Sequence, residues 1–154
     1  MKNHSRNLPQ IVTHILQKAF FKHALVQKGR YMYSILIVDD EPIVKIALRS
    51  ILPWEEHGFS ICGTASNGLE ALPLIEQHHP DVIITDLKMP GMDGLELIRT
   101  LKEKNCPGEI LVLSNYEDFD SVRSALLLGA ADYLLKIKIQ PDTLLACLNK
   151  TVEN

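Results

Sequence analysis

The feature that most constrains the fold is a regular alternation of short apolar runs and longer amphipathic stretches, which begins at Ser34. Runs that are apolar on both faces are typical of strands in a parallel sheet whose two sides are covered by helices. The alternation therefore predicts five strand–helix units in an α/β fold. The predicted strands are 34–39, 59–65, 82–85, 110–113 and 133–135, and the predicted helices are 42–51, 67–78, 95–104, 118–128 and 141–152.

Local signals refine two of these units. Asn67 and Glu70 form a capping pair at the start of the second helix. Pro73 stands inside that helix, where the loss of a backbone hydrogen bond costs roughly 3 kcal/mol in an unadapted helix. We therefore predict a kink or a late helix start there. Gly91 and Gly94, between the third strand and the third helix, are interpreted as turn glycines.

The charge distribution divides the chain near residues 29–34. Residues 1–33 carry six Lys or Arg and no acidic residue, whereas residues 34–154 carry ten Lys or Arg and nineteen Asp or Glu. Apolar residues between Leu8 and Phe20 fall at helical spacing, which predicts a basic amphipathic helix ending near Gly29. Such a helix could bind an acidic partner or a membrane surface. Alternatively, translation starts at Met32 and the preceding residues are an extension added by annotation or cloning, which is the reading we favour.

The overall composition excludes several classes of protein. With 154 residues, 46% of them apolar and 23% charged, the chain can bury one good core. The three cysteines lie far apart, without a C-x-x-C pair or a histidine at metal-ligand spacing, so neither a disulfide framework nor a zinc site is predicted. No apolar run approaches the roughly 20 residues that span a bilayer, and no signal peptide is visible. We expect a cytoplasmic protein without a membrane span.

Polar residues stand where the predicted strands end. Asp39 and Asp40 close the first strand, Asp86 the third and Ser114 the fourth, and Lys136 follows the fifth. The carboxyl ends of parallel strands meet at one edge of the sheet, where ligands bind. Each residue alone has a structural explanation, such as a turn, a cap or a surface lysine, but together they predict a site. Three converging carboxylates need a cation, and oxygen ligands without histidine or cysteine favour Mg²⁺.

Separated motifs then point to a family. ILIVDDEP, DVIITDLKMPGMDG, LVLSNYEDF and GAADYLLK occur in order, and on them residues 34 to about 152 resemble the receiver domain of two-component response regulators. The stretches PWEEHGFSICGTASNGLEAL and SNYEDFDSVRSALLLGAADYLLK are most similar to YesN/AraC-like receivers. The resemblance implies a flavodoxin-like, doubly wound parallel sheet of order 2-1-3-4-5 with five helices. The expected domains are a basic extension, 1–33, and a receiver domain, 34–154.

The resemblance also implies the chemistry. Asp86 would accept a phosphoryl group from a phosphohistidine on a partner histidine kinase. Asp40 would bind Mg²⁺ directly and Asp39 through water, while Asp86 and the backbone carbonyl of Lys88 would complete the protein ligands. Such a domain is not an enzyme acting on a separate substrate. It is a phosphoacceptor that catalyses its own phosphoryl transfer and slow autodephosphorylation.

The implied switch involves three further residues. Lys136 would pair with one phosphoryl oxygen, and Ser114 would donate its hydroxyl to another. Tyr133 would then turn inward behind Ser114 and reshape the face formed by the fourth helix, the fifth strand and the fifth helix. The same face is the expected homodimer surface. DNA would be bound only through a C-terminal output domain that is absent from this chain.

One residue departs from the family pattern. Ile137 follows Lys136, where receivers usually have a proline in a cis bond that aims the lysine. A cis bond before Ile137 would cost ~3 kcal/mol, so we expect it to be trans. The departure leaves room for a phosphorylation-independent receiver that acts as a protein-interaction module. An aspartate-nucleophile phosphatase fits less well, because Lys88 stands where a second acid is needed. Nucleotide or flavin binding fits worse, because no glycine-rich loop follows the first strand.

Overall fold

The computed structural model describes residues 31–153 without a gap and, before them, residues 17, 20–22, 24, 25, 28 and 29. The chain divides into two units, residues 1–32 and 33–154, and the second carries the alternating pattern. Most of the predicted basic helix lies outside the described residues, so that helix stays a prediction. Within the described residues, every helix is too short or too polar to cross a membrane.

Strands and α-helices alternate along the described part of the second unit. Each begins and ends within one residue of its predicted bounds. The strands are β1 (Tyr33–Val38), β2 (Phe59–Ala65), β3 (Val82–Asp86), β4 (Glu109–Ser114) and β5 (Asp132–Leu135). The α-helices are α1 (Pro42–Ser50), α2 (Gly68–His78), α3 (Gly94–Glu103), α4 (Phe119–Leu128) and α5 (Pro141–Glu153), and short 3-10 helices span Trp54–His57 and Lys136–Lys138.

The five strands form one parallel sheet in the order β2-β1-β3-β4-β5. This confirms the predicted doubly wound, flavodoxin-like fold. Val38 of β1 pairs with Thr85 of β3, so Asp39, which directly follows β1, and Asp86, the last residue of β3, reach the same edge of the sheet. The register of the two central strands therefore places the two acids side by side.

The core lies on both faces of the three central strands. Ile35, Ile37, Ile84 and Leu111 are 0% exposed, and neighbours that point to the opposite face are equally buried. This explains why the strands read as continuous apolar runs and not as alternating ones. The three cysteines are free.

The start of α2 differs from one of the two predicted outcomes. The helix begins at Gly68, ahead of Pro73, so a late start is wrong. The Oδ1 atom of Asn67 accepts from the N–H of Glu70 at 2.9 Å, and Gly68 and Ala71 are buried. This cap and the burial of the first turn fix the start, and they outweigh the one backbone bond that a proline removes.

Candidate functional site

Three aspartates meet at the carboxyl edge of the sheet. Asp86 is the last residue of β3 and Asp39 directly follows β1, and the two are 4% and 0% exposed. Asp40 lies beside them and is partly exposed. One carboxylate oxygen from each of the three lies within 4.8 Å of the others. The structure thus brings together the acids that the strand ends suggested.

Lys136 binds this acidic cluster. Its Nζ atom lies 2.9 Å from Oδ2 of Asp86 and 3.0 Å from Oδ2 of Asp39. A third carboxylate, that of Glu41, is 3.1 Å from the same nitrogen. Only 11% of the Lys136 side chain is exposed. The ammonium group therefore stands among three acids, and the peptide bond that joins Lys136 to Ile137 is trans, as expected.

Burial and charge pairing shift the ionisation of this group of residues. Burial raises the pKa of Asp39, and the N–H of Glu41 and the Lys136 ammonium reduce that effect without cancelling it. Burial by itself would lower the pKa of Lys136, but hydrogen bonds to Asp86 and Asp39 outweigh it and raise the pKa above its ordinary value. Lys136 is therefore a permanent cation at physiological pH, while the ionised form of Asp39 is disfavoured by its surroundings.

Asp39→Asn is expected to raise the thermal unfolding midpoint of the metal-free protein at neutral pH by a few degrees. Because the pKa of Asp39 is raised in the fold, its contribution to stability is present below the unfolded-state pKa and is lost as the pH rises through the folded-state value. The amide carries no charge, and its oxygen can still accept from the N–H of Glu41. Thermal melts between about pH 3 and about pH 8 test this. A gain that stays the same at acidic pH would contradict it.

The backbone around Asp86 is held by the start of α3. The Oδ1 atom of Asp86 accepts from the N–H of Leu87 at 2.7 Å, and the N–H of Gly94 donates to the carbonyl of Leu87 at 2.8 Å. A Cβ atom on Gly94 would overlap the carbonyl oxygen of Asp86. The interpretation of Gly94 as a turn glycine is therefore wrong, because it is the first residue of α3 and is needed for close packing. Gly91, with φ of +77°, is a turn glycine.

Two buried oxygen atoms between the end of β4 and the start of α4 have no hydrogen-bond partner among the described residues. Ser114 ends β4, is 0% exposed, and its Oγ atom has no hydrogen-bond partner among the described residues. Asp118 precedes α4 without capping it and instead pairs through Oδ1 with Nζ of Lys88 at 2.6 Å. Its other oxygen likewise has no partner in that part of the chain. The hydrogen bond to Asp118 raises the pKa of Lys88.

A cavity of about 470 Å³ lies next to Ser114. Tyr133 and Ser114 both line it, with apolar side chains of α4 such as Phe119 and Leu126. The Tyr133 side chain is 43% exposed and Phe119 is 75% exposed. The tyrosine expected to follow Ser114 therefore stands at the rim of an open space beside it.

Two residues of this region were not singled out from the sequence. Glu41 directly follows the acid pair, a position that could have suggested it. Asp118 gave no signal, because its partner Lys88 lies thirty positions earlier and only the fold brings the two loops together. The family resemblance implied the backbone carbonyl of Lys88 as a ligand, and that role stays a prediction.

The comparison with family models identifies the family of this chain. Residues 35–149 match the response regulator receiver domain, and the chain belongs to that family. Members of the family bind Mg²⁺ at an acidic pocket, and the aspartate cluster forms such a pocket here.

Several known proteins are similar to this chain. An uncharacterized response regulatory protein of Staphylococcus epidermidis is 40% identical over 105 residues, which are 68% of this chain and 41% of that protein. The transcriptional regulatory protein HptR of Staphylococcus aureus is 38% identical over 105 residues, which are again 68% of this chain and 41% of that protein. The chain thus spans about 41% of the length of these relatives.

Solved structures agree with this assignment. The receiver domain of AraT, a response regulator of Geobacillus stearothermophilus, has 35% sequence identity and a TM-score of 0.73, and the match covers 79% of this chain and 94% of that one. A DNA-binding response regulator of the LuxR family from Staphylococcus aureus has 29% identity and a TM-score of 0.70, with 80% and 100% covered.

Proposed function

We propose that Asp86 accepts a phosphoryl group from a histidine kinase and that its phosphorylation switches the face formed by α4, β5 and α5. The observation that carries this proposal is the setting of Asp86. It is an almost buried carboxylate at the end of a central strand, next to two further acids and 2.9 Å from a lysine ammonium. A carboxylate in this position is a competent nucleophile that can form an acyl phosphate.

The cluster of Asp39, Asp40 and Asp86 fits a hard divalent cation. Its donors are all carboxylate oxygens, and the buried Oδ2 of Asp39 is ion-paired with the Lys136 ammonium, 3.0 Å away. Such a donor set suits Mg²⁺, with Asp39 acting through water and the backbone carbonyl of Lys88 as a further ligand. When bound, Mg²⁺ would neutralise negative charge on the transferring phosphoryl group.

The chain's own residues would direct the transfer. A carboxylate oxygen of Asp86 attacks the phosphorus of the phosphohistidine, so a phosphorus–oxygen bond forms as the phosphorus–nitrogen bond breaks and the imidazole leaves with the electron pair. Lys136, now paired with Asp86, would move to a phosphoryl oxygen as charge develops there. The Ser114 hydroxyl, which has no partner among the described residues, is free to donate to another phosphoryl oxygen.

The switch would follow from the new charge. Phosphoaspartate carries about two negative charges. Movement of Ser114 toward it would draw the β4–α4 connection along, and Tyr133 would turn into the cavity beside Ser114, which is large enough to accept a side chain. Slow loss of the phosphoryl group to water would reset the domain.

The output of the switch would be transcriptional. HptR is named a transcriptional regulatory protein, and the present chain matches about 41% of its length. We propose that the receiver controls a DNA-binding domain in the full protein and that it acts in the cytoplasm. A homodimer would form through α4, β5 and α5.

Incubation with acetyl phosphate tests this function. We expect intact-mass spectrometry to show one added phosphoryl group in the presence of Mg²⁺ and almost none when EDTA removes the metal. Circular dichroism before and after incubation controls for folding. A folded protein that gains no Mg²⁺-dependent phosphoryl group would favour the alternative function, a phosphorylation-independent interaction module.

A further inference from the structure

We propose that Glu41 is a positioning residue that holds the Lys136 ammonium at the site while the other two partners of that lysine are occupied by the reaction. This inference rests on the proposed function, because that function decides what the other partners do. It assigns to Glu41 a task that neither the acid pair before it nor Asp86 can perform.

The contacts of Lys136 show why a third acid is needed. Its nitrogen lies within 3.1 Å of carboxylate oxygens of Asp39, Asp86 and Glu41. An ammonium group has three protons to donate. In the proposed reaction Asp86 becomes the phosphorylated group and Asp39 turns to the metal. Of these three acids, only Glu41 has no second task, so it alone can keep its contact with Lys136 throughout.

The backbone of Glu41 is fixed well enough to serve this purpose. Its N–H donates to Oδ1 of Asp39 at 2.8 Å, and its carbonyl accepts from the N–H of Val44 at 3.2 Å. Pro42 restricts the residue before it to extended backbone, and Glu41 has φ of −85° and ψ of 112°. The Glu41 side chain does not cap α1. Its carboxylate instead reaches Lys136, 95 positions away in the chain.

The C-terminal side of Lys136 provides little restraint. β5 ends at Leu135, and Lys136 begins a short 3-10 helix. The next side chain, Ile137, is 72% exposed and so offers little packing to fix the lysine. The Lys136 side chain therefore gains little packing support from its C-terminal neighbour.

The negative charge of Glu41 allows the direction of the rate change to distinguish a positioning role from simple charge repulsion. An extra negative charge near the site repels an anionic phosphodonor, so a residue acting through charge alone would slow the reaction and its removal would speed it up. A positioning residue has the opposite effect. Glu41→Ala should slow phosphorylation by about twofold to fivefold, the size expected for a half-exposed charge pair. Glu41→Gln should retain most of the rate, because its amide oxygen still accepts from Lys136.

The experiment compares wild type, Glu41→Ala, Glu41→Gln and Glu103→Ala. Glu103→Ala is the matched control, because it also removes one negative charge. Glu103 is the last residue of α3, whereas the first residue, Gly94, is the one that packs on Asp86. The first measurement is the rate of phosphorylation by acetyl phosphate with excess Mg²⁺. The second uses the metal-free protein and follows the ammonium signal of Lys136 in nitrogen–proton correlation spectra. That signal should broaden in Glu41→Ala and persist in Glu41→Gln and in Glu103→Ala.

The outcomes separate this inference from the proposed function. The positioning role would be overturned if Glu41→Ala and Glu41→Gln were phosphorylated at least as fast as wild type and the Lys136 signal were unchanged. Phosphorylation itself would then still stand. A wild-type protein that is never phosphorylated would overturn both. Slower transfer in Glu41→Ala, with rescue by Glu41→Gln and a matching change of the metal-free signal, would support the positioning role.

Discussion

Asp86→Asn is expected to abolish phosphorylation by acetyl phosphate, even with excess Mg²⁺. An amide is not a nucleophile under these conditions, so no acyl phosphate can form. The substitution keeps the size of the side chain, and the amide oxygen can still accept from the N–H of Leu87, which now donates to Asp86 at 2.7 Å. We therefore expect the fold to survive while the modification disappears from the intact-mass spectrum.

Asp93→Asn is the matched control for this experiment. Asp93 caps α3 through a 2.9 Å hydrogen bond from the N–H of Glu96, and asparagine is an equally good capping residue. The control makes the same chemical change outside the acidic cluster, so phosphorylation should continue at the wild-type rate. If Asp86→Asn instead gained a phosphoryl group as fast as wild type, the acceptor would have to be another residue.

Lys136→Met is expected to slow phosphorylation by about a hundredfold, because removal of one preorganised charged donor costs that much in comparable sites. Methionine approximates the aliphatic part of the lysine side chain and removes its charge. The ammonium now lies 2.9 Å from Asp86, where it can follow the charge that develops on the phosphoryl group. Single-turnover mass spectrometry with acetyl phosphate measures this effect.

The same substitution should lower the free energy of unfolding of the metal-free protein at neutral pH. It leaves Asp39 and Asp86 buried without the lysine cation, and breaking a buried pair in this way costs about 3 kcal/mol. This is the low end of the usual range, because Asp40 and Glu41 are partly or fully exposed and open the site to solvent. The raised pKa of Lys136 means that its stabilising contribution is present below the unfolded-state pKa and is lost only as the pH rises through the higher folded-state value. Urea unfolding around neutral pH measures the loss, which Mg²⁺ should partly restore.

Lys150→Met controls for the loss of a lysine. The Lys150 side chain is 71% exposed and its nitrogen lies 3.6 Å from Oδ2 of Asp132, so its removal should change neither the rate nor the stability measurably. Equal stability of Lys136→Met and wild type in metal-free buffer would show that the buried acids do not depend on Lys136.

The local pattern was enough to predict the five strands and five α-helices of the receiver domain, but not its two short 3-10 helices. Short runs that are apolar on both faces require cover on both sides, and caps such as Asn67 mark helix ends through contacts only three residues away. Local reasoning failed where packing across the molecule decides. Pro73 did not delay α2, since burial of the first turn fixes its start, and Gly94 is required by the backbone of Asp86 and not by a turn.

The candidate site shows the same division. Acids at the ends of the first and third strands could be read from the sequence, because parallel strands point their carboxyl ends to one edge. The pairs that involve Glu41 and Asp118 could not, since Lys136 reaches Glu41 across 95 positions and Lys88 reaches Asp118 across thirty. Such pairs depend on strand order and loop paths, which no short stretch of sequence encodes.

The sequence by itself thus determined the kind of fold and the chemical type of the site, because hydrophobic periodicity and strand ends are local properties of the chain. The tertiary structure alone decided which oxygens share the ammonium of Lys136, which buried oxygens near Ser114 have no hydrogen-bond partner in the part of the chain that the structure describes, and how much space adjoins them. These properties depend on distances of a few ångströms between segments far apart in the chain, and only the packed sheet and its covering helices set those distances.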